Sequence, residues 1–233
     1  KIGTKVQLPD WMPGSGWNNT EGERIADKSI TQRTNMFHKP IMQLNHSLKL
    51  ADNMTLLTAA YYSGGEGGGT RYRGSRKWTS DGRADWDAVI QANTTAGMNS
   101  AGQALGLSGN LSGAIQATSR NNQYTYGLMP RLITDINDQL EVTVGLDWRT
   151  AKIEHYREVY SLLGGDYYYN TSNKNLSGAG NYKQVGDKIE YYDINTVDWT
   201  GFYGQAVYTT GPLSAFAVFS STSAKFTNED QFV

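Results

Sequence analysis

"TVGLDWRTAKIEHYREVY", residues 143–160, alternates apolar and polar side chains and keeps alternating well past the length at which an ordinary strand stops. Strands of globular proteins average about 5–6 residues. Extending the reading back to Leu140 sharpens it. Leu140, Val142, Val144, Leu146 and Trp148 share one face, and Glu141, Thr143, Gly145, Asp147 and Arg149 share the other. A strand with one apolar face and this reach is longer than the core of a small domain requires.

Six segments read as strands, each alternating over about 9–12 residues with β-branched or aromatic enrichment. They are residues 42–50, 54–63, 124–135, 140–153, 200–209 and 213–226. In the third, Tyr124, Tyr126, Leu128, Pro130 and Leu132 share a face opposite Thr125, Gly127 and Arg131. Pro130 argues for an edge position, a bulge or a wide barrel, because proline cannot donate to a ladder. The fifth sets Phe202, Gly204, Ala206 and Tyr208 against Tyr203, Gln205 and Val207, whereas the sixth gives no clear choice of face.

The connections alternate short and long. "ADN" (51–53), "INDQ" (136–139) and "TGP" (210–212) are tight turns. Between them lie residues 64–123 and 154–199, far beyond the usual connection of about 4–6 residues. In an antiparallel meander this order puts every tight turn at one end and every long loop at the other. The expected fold is therefore all-β, an antiparallel transmembrane β-barrel with long extracellular loops. Trp148 and Trp199, near the loop ends of their strands, are expected in an interfacial aromatic girdle. The competing reading is a β-sandwich with aromatic residues filling its core.

Composition is compatible with that fold. No run approaches the roughly 18 apolar residues of a membrane-spanning helix, and the mean hydropathy of −0.55 hides a barrel that shows lipid only every second side chain. With 21 basic and 22 acidic residues, the chain lacks the charge footprint of a nucleic-acid binder. The lack of cysteine removes zinc-finger, disulfide and thiol-nucleophile readings. The first residues, "KIGTKVQLPDW", do not read as a signal peptide, so an export signal is expected to have been removed or to lie upstream.

"NMFHKPIMQLNHSLKL" (35–50) followed by "NMTLLTAAYYSGGEGGGTRYRG" (53–74) resembles the barrel of TonB-dependent outer-membrane receptors, particularly of the Bacteroidota type. "ADWDAVIQANTT", "SRNNQYTYGLMPRL", "VTVGLDWRTAKIEHYREVYSLLGGDYYY" and "GDKIEYYDINTVDWTGFYGQAVYTTGPLSAFAVFSS" continue the resemblance in order, from about residue 30 onward. It implies a barrel of roughly 22 strands around a plug. Six strands cannot close such a barrel, and neither a plug nor a TonB box is recognisable. The expectation is thus a partial barrel domain over 1–233, with the plug and remaining strands outside this chain. An eight-stranded barrel is the structural alternative, for which "VQLPDW" (6–11) could supply one extra strand.

The resemblance implies a receptor in the cell outer membrane that binds a scarce nutrient (siderophore, cobalamin, glycan or peptide) and imports it to the periplasm. Its implied partners are outer-membrane lipid and lipopolysaccharide, the TonB complex acting through the plug, the nutrient itself, and a surface lipoprotein over the loops. Two other readings come from different classes: a non-transporting barrel used in adhesion or assembly, and a soluble carbohydrate-binding sandwich.

Candidate ligand contacts lie in the loops. Arg71 and Arg73 follow the glycine-rich rise "YYSGGEGGGTRYRG" (61–74), which lacks the Gly-Lys-Ser/Thr ending of a phosphate loop. With Arg76 and Lys77 they are expected to face water or an anionic ligand group. Trp78 and Trp86 offer loop aromatics, and Tyr167, Tyr168 and Tyr169 in "GGDYYYNTSN" (164–173) offer flat surfaces with polar tips. "ADWDAVIQA" is expected to form a short helix. Neither His38, His46 and His155 nor Asp81, Asp85 and Asp87 have the spacing of a metal site, and Asp135 and Asp138 fall in a turn. No catalytic constellation, metal or cofactor is expected.

Overall fold

The structure, a computed structural model, describes residues 33–82 and 84–233. The strand considered at 6–11 lies outside those residues. Along the chain run β1 (Asn35–His38), β2 (Ile41–Ala51), β3 (Met54–Gly74), α1 (Trp86–Thr94) and α2 (Ser100–Ala104). β4 (Ala114–Asn137), β5 (Leu140–Ser161), β6 (Tyr168–Tyr169), β7 (Tyr182–Lys183), β8 (Lys188–Thr210) and β9 (Leu213–Asp230) follow. Every strand expected from the sequence is present, and so is the short helix.

One antiparallel sheet of seven strands holds the molecule together, in the order β1 or β2, β3, β4, β5, β8, β9. β1 and β2 pair with successive parts of β3 and are parted at Lys39 and Pro40. Pro40 still accepts there, from the Gly64 amide at 3.1 Å. The sheet is open, with the β1/β2 and β9 edges unpaired among the described residues. The tight turns fall where expected, but the strands climb far into the supposed loops. The long connections shrink to 75–113 and 162–187.

Register fixes the two faces. One row reads Leu48, Leu56, Leu132, Val144, Gly204 and Phe219 across six strands. Another reads Leu44, Ala60, Leu128, Trp148, Thr200 and Ser223. The next row up is Met42, Tyr62, Tyr126, Thr150, Asp198 and Lys225, where the apolar character stops. On β5 the apolar belt therefore runs from Leu140 to Trp148, with Tyr208 at its lower edge and Tyr62 and Tyr126, ring centroids 5.1 Å apart, above it. No element of the described residues covers this belt: Val144, in a central strand, is 47% exposed.

The opposite face carries Asn45, Arg131, Thr143, Asp147, Arg149 and Gln205, with glycines roofed by tyrosines. A Cβ on Gly127 would come within 2.1 Å of the Tyr61 ring, and one on Gly145 within 2.4 Å of the Tyr203 ring. A groove of about 550 Å³ over this face is lined by Asn45, Ala59, Met129, Arg131, Asp147 and Tyr203 among others.

One alternative is excluded and one expectation is corrected. Pro130 sits in central β4, not at an edge: it pairs with Thr58 of β3, while the β4–β5 ladder skips Met129 and Pro130 and resumes in the same register. The missing donor is thus placed where no bond is made. Trp199 does not share a girdle with Trp148. It lies opposite Arg149 on the polar face, with that guanidinium 5.9 Å from its ring.

The enclosed core lies at the loop end of the sheet. One cluster packs α1 against β3 through Tyr72, Ala84, Trp86, Val89, Ala114 and Leu163. The other joins Ile115, Ala117, Val159, Leu162 and Ile189, with Tyr168 laid against it. The connections are therefore folded structure seated on both sides of the strand ends.

Candidate functional site

The loop end of the polar face concentrates charge. Arg71 and Arg73 are two apart on β3 and share a face, and pairing sets them opposite Ala117 and Ile115 of β4. Arg157 of β5 lies opposite Ser119, on the same face. β8 completes the cluster through an irregularity: its register with β5 shifts between Tyr156 and Arg157, and Glu190 in the extra segment adopts φ 63°. A bulge re-aims a side chain in this way, and here it turns the Glu190 carboxylate toward the arginines.

Arg73 Nε donates to Glu190 Oε1 at 2.8 Å, and Arg157 Nη1 donates to Oε2. The Arg157 Nε and Nη2 groups donate to the Ser119 hydroxyl at 3.3 and 3.1 Å. Its guanidinium lies 4.9 Å from the Tyr191 ring. Side-chain exposure falls from 30% at Glu190 and 27% at Arg73 to 11% at Arg157. Burial first, then the Arg73 charge, pulls the Arg157 pKa down, with Arg71 acting in the same direction and Tyr191 against it. Arg71 is exposed and has no hydrogen-bonded or ion-paired partner among the described residues.

The other candidates divide between two places. Trp86 is 2% exposed, its ring centroid 5.7 Å from that of Tyr72, and its indole Nε1 has no hydrogen-bond partner among the described residues. It packs under the loop, with almost none of its surface reaching solvent. Trp78, bridged to Ala84, is exposed.

The three tyrosines do not make one platform. Tyr168 turns into the core cluster of β4, β5 and β8. Tyr167 and Tyr169 flank Tyr182, with ring centroids 6.4 and 5.1 Å away. The Tyr182 hydroxyl donates to Asn99 Oδ1 at 2.8 Å, tying this hairpin to the cap of α2. Tyr169 alone of the three is exposed.

The sequence reading did not single out Glu190, Arg157, Ser119, Tyr182 or Asn93. Asn93 is buried at the end of α1: its Nδ2 donates to the carbonyls of Ala114, Leu162 and Leu163 at 2.8–3.0 Å, and its Oδ1 accepts from Gly113. It clamps both connections to the strand ends. Among the described residues no cluster of His, Cys, Asp or Glu could hold a metal ion.

No protein-family model matches the chain, and no curated protein matches it.

Proposed function

We propose that this chain is part of the wall of an outer-membrane receptor of the TonB-dependent kind, which captures a scarce nutrient at its loop end and passes it to the periplasm. One observation carries the reading: an exposed apolar belt on one face of a sheet whose strands are far longer than the belt. It spans nine residues of β5, Leu140 to Trp148, where β5 itself has 22. A tilted strand crosses the hydrocarbon core of a bilayer in about 9–11 residues. The remaining length of β5 then stands outside the bilayer, supporting the folded loops.

Aromatic side chains at both margins of the belt, Tyr208 below and Tyr126 and Trp148 above, suit headgroup depth. The opposite face, with its charges and amides, suits a water-filled lumen. A sheet in lipid cannot keep free edges, so in this reading further strands of a longer polypeptide pair with β2 and β9, and a plug within the barrel couples transport to an inner-membrane TonB complex. The nutrient's identity is left among siderophore, cobalamin, glycan and peptide.

Proteomics of isolated outer membranes tests this. Peptides on both sides of the present segment, from one polypeptide several times its length and including a plug, are expected. A mature outer-membrane chain lacking a plug would instead favour an adhesion or assembly barrel.

A further inference from the structure

The cluster at the loop end has more positive charge than its own architecture needs. A single arginine would satisfy Glu190, yet Arg73 donates to both of its carboxylate oxygens and Arg157 donates to Oε2 as well. Arg71 then adds a third guanidinium on the same face, two residues from Arg73. Two cations thus hold one anion, and a third stands on the same face without a partner of its own among the described residues. The cost is visible in the backbone: Glu190 is a non-glycine residue at φ 63°, a left-handed conformation that persists only where the surroundings enforce it.

Neighbouring charges do not complete the balance. Lys188 is turned to the Tyr156 and Tyr192 rings at 4.6 and 4.9 Å. Glu158 is engaged with Arg120 at 2.7 Å, on the opposite face. Asp193 lies farther along the strand, opposite His155.

We propose that Arg71, Arg73 and Arg157, with the Ser119 hydroxyl, form a site for a carboxylate or phosphate group of a dissolved ligand, with Glu190 as the resident counter-ion. Guanidinium forks match the paired oxygens of either group. Arg71 contributes the open fork; Arg73 and Arg157 are held in place by Glu190 and supply the surrounding potential. The direction from which the ligand arrives rests on the receptor reading, because the cluster lies on the polar face away from the apolar belt. The nutrient is then an anion, or is presented through an anionic group.

The test uses the native full-length protein in neutral detergent, titrated calorimetrically at low ionic strength with citrate and with inorganic phosphate. Saturable binding of at least one is expected, weakened about tenfold or more in Arg71→Gln and partly kept in Arg71→Lys. Glu190→Gln, which removes the competing carboxylate, is expected to tighten binding. No binding, or equal affinity in wild type and Arg71→Gln, overturns the site. Titration in micelles containing phosphatidylglycerol separates the two sources of such a group: unchanged affinity supports a dissolved ligand, and competition by lipid phosphate overturns it. Heat-dependent electrophoretic migration of the same samples reports barrel formation separately, so an intact barrel indifferent to both anions rejects the anion site alone.

Discussion

Gly145 shows how one residue without a side chain shapes a face. Its neighbour across the ladder, Tyr203, lays its ring where a Cβ would stand, at 2.4 Å. Gly145→Val is expected to displace that ring and cost about 1–3 kcal/mol, as overpacking does, measured by denaturant unfolding of the reconstituted protein. An unchanged midpoint would mean that the ring contributes nothing there. Tyr72 offers a titration. Burial pushes its phenol from 10.0 up to about 12, against the opposing pull of Arg76, while its hydroxyl donates to the Ser75 carbonyl at 2.7 Å. The folded state thus favours the neutral phenol, and its contribution is whole below pH about 10 and lost as pH rises toward 12. Protease cleavage within 75–113 is expected to accelerate between about pH 10 and 12, and Tyr72→Phe to abolish that increase. Arg71 and Arg73 were legible in the sequence because cations beside a glycine-rich strand exit stand out. Glu190 and Arg157 were not, since their meeting depends on a bulge that no local pattern announces.

At the scale of elements, the loop end behaves as a small folded unit with its own core. Asn93 holds it, with four hydrogen bonds from one buried side chain. Asn93→Leu takes this partner from the Ala114 and Leu163 carbonyls and the Gly113 amide, while the Leu162 carbonyl keeps the Ser112 hydroxyl, and is expected to destabilise the unit by about 2–4 kcal/mol. Limited proteolysis should show faster cleavage in 75–113 and 162–187 while the strands stay resistant; equal cleavage rates would deny Asn93 that role. Trp86→Phe keeps most of the packing and removes an unpartnered indole N–H, so stability should stay within about 1 kcal/mol. The strands and turns were readable because period-two alternation and Asp, Asn, Gly and Pro turns are local signals. Their upper ends were not: from Ala114 to Thr118, β4 is buried on both faces beneath the folded connections, so alternation gives way to consecutive enclosed residues, Ala114 in one cluster and Ile115 and Ala117, with Val159 of β5, in the other. β9 resisted a face assignment because Phe216 and Val218 lie on the polar face while Phe219 lies on the apolar one.

At the scale of the whole molecule, stability and placement depend on what surrounds the belt from Leu140 to Trp148. Val144 lies near its middle, in a central strand, on the exposed side. In lipid, Val144→Arg is expected to cost about 2–4 kcal/mol, read as lost outer-membrane abundance and a lowered unfolding midpoint, while Thr143→Arg on the opposite face costs little. Similar behaviour of the two variants would place both faces in the same environment. The asymmetry of short turns and long connections was legible from spacing alone, whereas Trp199 was assigned a girdle position that its register with Arg149 denies.

If one face of this sheet meets lipid and the other meets water, the two faces of β5 differ in the small molecules that reach them. These 233 residues contain no cysteine, so a single cysteine at each position from 141 to 148, with any cysteine elsewhere in the full-length protein replaced, takes one label at a known place. Spin labels at those positions in the full-length protein, reconstituted in bilayers, would be read for collision with oxygen and with a water-soluble nickel chelate. Strict alternation is expected, with oxygen favoured at 142, 144, 146 and 148 and the chelate at 141, 143, 145 and 147. Shielding of the even positions from both reagents, as in a core covered by a second layer, would contradict it, and so would equal access of the chelate to all eight.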